Sequence, residues 1–472
     1  MRSDVRRMNW FRERKRKILL GMWVFMAAGL MIGCGKSRFS KIQGQEEERE
    51  TSSEASPEGG EPEISIEGEP GEVKGEEPEE LVILPERYDY REQGRAPIAG
   101  DQGKFGTCWA FSSLMAMETV LLPEENWNFS ADHMSRQNSF ALGQEEGGQY
   151  AMSMAYLLAW QGPVTEEEDP YGDGQSPEGL LPVKHVQEIR LLPSKDYERV
   201  KEAIYRTGGV QSSLFTRLQN SDSTDPFYNK ETFSYYYPGG RRANHNVVII
   251  GWDDHYPKEN FYHNPAGDGA FICLNSWGPD FGEQGCFYVS YYDTNIGDVN
   301  VLYSGIQEPD QYTGIYQSDL CGWIGQIGYG TEETYFTNHY QARRDERLKA
   351  VGFYATMPDT SYQVYAETGV SRAEDLALDE VLASGTCSDA GFYTVEFSKD
   401  IPLKEGEDFW VAVKIQTKGA VHPVAIEYQG QDSSGTVDLS DGEGYLSADG
   451  KQWVSAEQTQ ECNLCLKAYT KD

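Results

Sequence analysis

The segment Asp101-Gln-Gly-Lys-Phe-Gly-Thr-Cys-Trp-Ala-Phe-Ser112 is the most informative stretch of this chain. Its glycines indicate a loop, and after Thr107 apolar side chains recur at helical spacing as far as Pro123. The pattern therefore predicts a loop that places Cys108 in the first turn of a helix. At a helix N-terminus the dipole and the N–H groups favour a thiolate, which makes Cys108 a candidate nucleophile.

Two later segments supply the partners that a thiol nucleophile needs. His245 opens an apolar strand over residues 246–251, where its imidazole can accept the thiol proton. Asn275 follows the apolar strand at residues 270–274 and offers an amide oxygen to hold that imidazole in one tautomer. Trp277 is close enough to keep water away from the contact. Nucleophile, base and orienting group are thus all present in the sequence.

With these motifs, residues 84 to about 300 resemble a papain-like cysteine peptidase. The separations are 137 residues from Cys108 to His245 and 30 residues from His245 to Asn275, within the range typical of that family. The resemblance implies that Cys108 is the nucleophile, His245 the general base and acid, and Asn275 the orienting residue. It also implies that the Gln102 side chain and the Cys108 N–H form the oxyanion hole.

The same resemblance suggests a substrate cleft and Trp277 as the shield of the His–Asn contact. Gly147 and Gly148 match the glycine pair whose backbone pairs with an extended peptide, and Ala243 matches a residue that lines the pocket for the second residue on the acyl side. No cofactor is expected. The spacing of His, Cys and Asp residues does not indicate a metal site either.

The chain departs from the family pattern at three places, of which Thr107, in place of the usual small Ser or Ala beside the nucleophile, is a mild change. Phe105 stands where the family usually has a disulfide-bonded Cys, so packing of Phe105 is expected to hold the loop instead. The usual inhibitory prodomain of about a hundred residues does not fit between Cys34 and Leu84.

Cys273 and Cys286 are expected on the two strands of a hairpin, where a disulfide and two buried thiols are equally compatible with the sequence.

The predicted fold class is α+β: a papain-like, two-lobed peptidase domain followed by an all-β sandwich. Three helices are expected, after Thr107, at residues 149–160 and at residues 196–206, with strands at 246–251, 270–274 and 286–290. Further strands are expected at 349–355, 361–366, 392–397, 408–414 and 463–469. The predicted divisions are a signal peptide at 1–33, a linker at 34–83, the peptidase domain at 84–304 and the sandwich at 305–472.

The order of the C-terminal strands resembles the lectin-like domain of some bacterial papain-like peptidases. That resemblance implies glycan as a possible partner, with exposed Trp323, Trp410 and Trp453 as the candidate platform. A purely structural module packed on the peptidase is the alternative. Up to two disulfides could form among the four C-terminal cysteines, which are Cys321, Cys387, Cys462 and Cys465.

The N-terminus has the layout of an export signal. Basic residues between 2 and 17 precede the apolar run 18–32, which is short for a membrane span. Cys34 follows in a sequence that resembles a bacterial lipobox, so Cys34 is the expected lipidation site and a lipid anchor to the membrane is expected. An uncleaved anchor and a plain secretory signal are the alternatives. Residues 44–80 are rich in Glu, Gly, Ser and Pro and predict a disordered tether.

Charge narrows the possible partners. Of the net charge of -35, residues 1–45 contribute +9 and residues 46–80 contribute -13, which leaves -31 for the rest of the chain. Nucleic acid is therefore not an expected partner, since phosphate binding needs clustered Lys and Arg.

The sequence thus predicts an extracellular, surface-tethered cysteine peptidase that acts on peptide or protein substrates. A surface adhesin with a non-catalytic cleft is the alternative from another class. Transpeptidation by the same residues also remains open.

Overall fold

The fold was taken from a computed structural model, which describes residues 82–430 and 437–472. The predicted signal peptide, the lipidation site Cys34 and the linker up to residue 81 lie outside the described residues. Within the described part, no helix is both long and apolar enough to span a membrane. Residues 84–472 lie within one compact unit.

The helices are α1 Tyr90–Gln93, α2 Cys108–Leu121, α3 Ala131–Arg136, α4 Tyr150–Leu158, α5 Tyr197–Arg206 and α6 Ala456–Gln460. The strands in the first half are β1 Arg87–Asp89, β2 His185–Leu192, β3 Val210–Leu214, β4 Tyr228–Asn229, β5 Ser234–Tyr235, β6 His245–Asp253, β7 Ala270–Leu274, β8 Cys286–Ser290 and β9 Asn300–Gln307. The strands in the second half are β10 Gly314–Tyr316, β11 Gly325–Ile327, β12 Glu333–Gln341, β13 Glu346–Ala355, β14 Thr360–Thr368, β15 Ala383–Cys387, β16 Ala390–Leu403, β17 Asp408–Gln416, β18 Val424–Tyr428, β19 Gly444–Ser447, β20 Val454–Ser455, β21 Cys462–Leu464 and β22 Leu466–Lys471.

The α+β prediction is confirmed, and the three expected helices correspond to α2, α4 and α5. Helix α2 ends at Leu121, two residues before Pro123. Eleven of its fourteen residues are buried, so other elements surround the helix instead of covering one stripe of it. Its main packing partners are strand β6, strand β9 and helix α4. Helix α2 is therefore a central element that fixes where Cys108 lies.

The expected hairpin is formed by β7 and β8, in which Leu274 faces Cys286 and Cys273 faces Phe287. Cys273 and Cys286 are buried free thiols. Of the two alternatives left open by the sequence, a disulfide and two buried thiols, the structure therefore shows the two buried thiols. Cys462 and Cys465 are free thiols as well, which excludes two disulfides among the four C-terminal cysteines.

One sheet of thirteen strands passes through both halves of the chain, in the order β10-β22-β13-β16-β2-β9-β3-β6-β7-β8-β5-β4, with β1 on β6. The two halves meet where β16 pairs antiparallel with β2, from Ala390 opposite Leu191 to Tyr393 opposite Glu188. The first half of this sheet covers the core around α2 and α4.

The second half forms a β-sandwich. Its second layer is a sheet of six strands in the order β15-β14-β17-β12-β19-β20, and β11, β18 and β21 form a small third sheet. Apolar residues from all three sheets share one core, for example Phe353, Val411 and Ile426. The C-terminal part is therefore sheet-rich, as the sequence predicts.

The expected exposure of Trp410 is wrong. Trp410 is 1% exposed, and its Nε1 donates to the Val370 carbonyl at 2.6 Å. The cause is that β17 lies inside the six-stranded sheet, with residues around Ala373 and Leu376 packed over its outer face. Trp323 and Trp453 are half-buried and pack against hydrophobic clusters.

Candidate active site

Two distant segments meet at the start of strand β6. Cys108 is the first residue of α2, and His245 is the first residue of β6. The amide Nδ2 of Asn246 lies 3.8 Å from Cys108 Sγ, which places the sulfur beside the residue that follows His245. Cys108 is 1% exposed and His245 is 2% exposed, so both side chains are buried where the two segments meet.

The orientation of the imidazole is fixed by Asn275. The Asn275 Oδ1 atom lies 2.7 Å from His245 Nε2 and also accepts a hydrogen bond from Ser276 N at 2.8 Å. An amide oxygen can only accept, so Nε2 carries a proton in this contact. In the neutral ring the other nitrogen, Nδ1, is then left as the acceptor.

Trp277 covers the contact between His245 and Asn275. The indole stacks on the His245 ring with centroids 4.6 Å apart and an interplanar angle of 21°. Phe281 packs edge-on against the indole at 4.9 Å. Since Trp277 is itself only 6% exposed, the hydrogen bond lies in a dry environment, where it is stronger than in water.

Gln102 is held against the same segment. Its backbone N–H donates to the Ser276 carbonyl at 2.9 Å, and its Oε1 accepts from Ser276 Oγ at 2.6 Å. Its Nε2 donates to the Phe105 carbonyl at 2.7 Å, which uses one of the two amide hydrogens. The loop before α2 is therefore fastened to the strand end that carries Asn275.

The glycine pair is buried beside the helix that carries Cys108. Gly147 has a φ of 84°, in the region that favours glycine. A Cβ on Gly148 would lie 2.4 Å from Trp109 Nε1, so no larger residue fits there without displacing the indole. Glycine is thus required at Gly147 by the backbone conformation and at Gly148 by the lack of space.

Ala243 is buried two residues before His245, next to Asn244. Asn244 exchanges two hydrogen bonds with the backbone of Thr216, at 2.8 and 2.9 Å, and this pair fixes the entry to β6. The sequence interpretation did not single out Asn246, Ser276 or Tyr171, which also contact this region. Only the position of Asn246 next to His245 could have drawn attention to it.

Comparison with known proteins agrees with this arrangement. Residues 84–304 match the family model of papain family cysteine proteases, and residues 315–470 match that of a lectin-like domain. The chain carries a papain-family cysteine peptidase domain and a lectin-like domain.

Solved structures share both domains. The cysteine protease and lectin-like domains of Cwp84, a surface layer associated protein of Clostridium difficile, superpose with a TM-score of 0.71 at 25% identity, covering 83% of this chain and 89% of that one. A clostridial Cwp84 structure determined after propeptide cleavage gives a TM-score of 0.69 at 25% identity, covering 82% of this chain and 99% of that one.

The peptidase domain also resembles plant and animal enzymes. Vignain from Phaseolus vulgaris is 25% identical over 219 residues, which are 44% of this chain and 54% of vignain. Cathepsin S from Bos taurus is 28% identical over 213 residues, 43% of this chain and 59% of the cathepsin. The chain spans about half the length of the curated relatives it matches.

Proposed function

We propose that the protein is a cysteine peptidase that hydrolyses peptide bonds through Cys108, His245, Asn275 and Gln102. The observation that carries the proposal is the contact between His245 Nε2 and Asn275 Oδ1, which Trp277 covers. Cys108 Sγ lies beside Asn246, the residue that follows His245 in the strand. The contact with Asn275 leaves the second imidazole nitrogen available for a thiol proton.

In the proposed reaction the Cys108 thiolate attacks the carbonyl carbon of a peptide bond. The carbonyl electron pair moves to the oxygen, which the Gln102 side chain and the Cys108 N–H stabilise. His245 then gives its proton to the leaving amine, and a thioester to Cys108 remains. Water then loses a proton to His245 and attacks the thioester carbonyl carbon; the C–S bond breaks, the carboxylic acid leaves, and the Cys108 thiolate beside protonated His245 is restored. Gly147, Gly148 and Ala243 would line the bound peptide.

The test compares peptide hydrolysis by the wild type with that by Cys108→Ala and His245→Ala. Both variants are expected to lose nearly all turnover, whereas His255→Ala, a change at an exposed histidine, should leave it unchanged. Unchanged turnover in both site variants would rule out the assignment.

Labelling with an epoxide thiol reagent gives an independent check. The reagent is expected to modify Cys108 and to spare Cys273 and Cys286, because burial raises the pKa of both thiols, that of Cys286 to about 12. Modification of Cys273 and Cys286 with Cys108 unmodified would contradict the proposal.

We further propose that the protein acts outside the cell, anchored by a lipid on Cys34. Support comes from the basic and apolar N-terminal segments and from the similarity to Cwp84, a surface layer associated protein. Incorporation of a fatty-acid analogue into the wild type and not into Cys34→Ser would bear this out. Equal incorporation into both would contradict it.

The match of residues 315–470 to a lectin-like domain supports glycan as a second partner. We expect the wild type to bind on a glycan array. Binding should persist in Cys108→Ala and fall in Trp453→Ala. Absence of binding by the wild type would favour a purely structural role for this domain.

A further inference from the structure

The loop that carries Gln102 is held by Tyr171, a residue outside the catalytic set. The Tyr171 hydroxyl donates to the Gln102 carbonyl at 3.0 Å and lies 2.6 Å from Thr107 Oγ1. A phenol has a single proton, so the Thr107 hydroxyl must be the donor in the second contact. The hydrogen bonds therefore run from Thr107 through Tyr171 to Gln102.

Tyr171 is itself well anchored. Its ring packs edge-on against Phe111 of α2 at 4.7 Å and against Phe105 of the loop at 6.3 Å. Its backbone N–H donates to Glu166 Oε1 at 2.8 Å. Burial raises the pKa of Tyr171 to about 12, so the hydroxyl remains a donor at neutral pH.

These contacts lie where the family usually has a disulfide. Phe105 replaces the cysteine of that bond, and the ring of Tyr171 packs against Phe105. The hydroxyl of Tyr171 also bridges Gln102 and Thr107, which flank the proposed oxyanion hole. Gln102 provides one donor, and Thr107 directly precedes Cys108, whose N–H is the other.

We propose that Tyr171 is a positioning residue of the peptidase, which sets the Gln102 amide relative to the Cys108 N–H so that both donors meet one oxyanion. The inference rests on the proposed function. Tyr171 acts through Gln102 and Thr107 and does not touch the reacting atoms.

The test uses Tyr171→Phe, which removes the hydroxyl and keeps the ring, and Thr107→Val as a second variant. Tyr197→Phe is the matched control, because Tyr197 is also half-buried and donates to the Tyr291 carbonyl at 2.9 Å. Two rates are measured for each protein: hydrolysis of a peptide amide, and alkylation of Cys108 by iodoacetamide, a reaction that forms no oxyanion.

We expect Tyr171→Phe to lower kcat by about tenfold or more, with KM within about twofold and the alkylation rate and Tm unchanged, since one misplaced oxyanion donor weakens only the transition state. Thr107→Val should act in the same direction, and Tyr197→Phe should leave both rates unchanged. In a Gln102→Ala background, Tyr171→Phe should cause no further loss.

Three results would overturn the inference: an unchanged kcat in Tyr171→Phe, equal losses in hydrolysis and alkylation, or a full additional loss in the Gln102→Ala background. Failure of the wild type to hydrolyse any peptide would instead overturn the proposed function, and this inference with it.

Discussion

At the scale of single residues, the site depends on how tightly His245 is held. Its Nε2 contact with Asn275 is buried, and Ser276 N fixes the amide oxygen that accepts it. The sequence predicted that these residues act together because their order and spacing resemble those of a known family. It could not predict that Asn246 lies beside the sulfur, since that contact joins residues 138 positions apart in the chain.

Replacement of Asn275 by Ala is expected to lower kcat and to leave substantial residual activity. The imidazole loses one buried hydrogen bond, worth about 1–3 kcal/mol, which corresponds to about one to two orders of magnitude in rate. Steady-state kinetics on a peptide substrate measures the effect. A loss as complete as that of Cys108→Ala would contradict an orienting role.

Gly148→Ala is expected to reduce activity through Trp109. The added methyl would lie 2.4 Å from Trp109 Nε1, and this indole follows Cys108 directly in α2. Overpacking of this kind costs about 1–3 kcal/mol. A lowered Tm together with a raised KM would agree with the prediction. Gly240→Ala is the control, because Gly240, like Gly148, has no left-handed φ and nothing lies within 4 Å of a Cβ there.

At the scale of elements, helix α2 carries a buried acid as well as the nucleophile. Burial raises the pKa of Glu118 to about 8, although its Oε1 accepts a hydrogen bond from Phe129 N at 2.9 Å. A raised pKa means that the folded protein keeps a proton that the unfolded chain releases above about pH 4.5. Stability from this group is therefore present below that pH and is lost as the pH rises through about 8.

Glu118→Gln is expected to remove this pH dependence. The free energy of unfolding of the variant should match that of the wild type near pH 5 and exceed it at pH 9. The difference at pH 9 should be at most about 4 kcal/mol, since each unit of pKa difference corresponds to about 1.4 kcal/mol. Urea unfolding of both proteins at the two pH values measures the change. An equal difference in unfolding free energy at both values would contradict the assignment.

The helices lie close to their predicted bounds, but not all strands do: the expected strand 392–397 is part of β16, and residues 463–469 span both β21 and β22. The burial of the elements was not predicted. The apolar spacing after Thr107 gave α2, and the apolar run 408–414 gave β17. A strand pattern cannot state whether the polar face of its sheet is covered, which is why Trp410 was expected at the surface. The cover comes from residues such as Leu376, more than thirty positions away in the chain.

At the scale of the whole molecule, the two halves share a sheet. Strand β16 pairs with β2, and beside this pairing the buried Asp389 carboxylate contacts Arg190 and also Arg199, whose guanidinium lies at 3.1 Å. No local pattern could predict this junction, because its strands are separated by about two hundred residues. The predicted order, a peptidase domain followed by a sheet-rich domain, is confirmed, and the sheet that runs through both is a feature the sequence did not reveal.

Gly391→Ala is expected to weaken the junction severely. Gly391 has a φ of 141°, and a Cβ there would lie 2.1 Å from the Ile189 carbonyl oxygen, so β16 could not keep its place on β2. Gly419→Ala is the matched control, with a φ of 81° and open space around it, and should cost only about 1–2 kcal/mol.

Urea unfolding followed by tryptophan fluorescence and by residual peptidase activity measures both variants. The wild type should show coincident transitions, and Gly391→Ala a lower midpoint with separated transitions. Equal effects of the two glycine substitutions would contradict a shared sheet.

The junction between β2 and β16 also determines what a cut in the main chain would do. Between β9 and β10 the backbone crosses from one half to the other through residues 308–313, with exposed side chains at Glu308 and Asp310. Cleavage there, even by another copy of the enzyme, would break a covalent link and leave the strand pairing intact. The two fragments should then elute together and stay active, as a nicked heterodimer that comes apart only in denaturant.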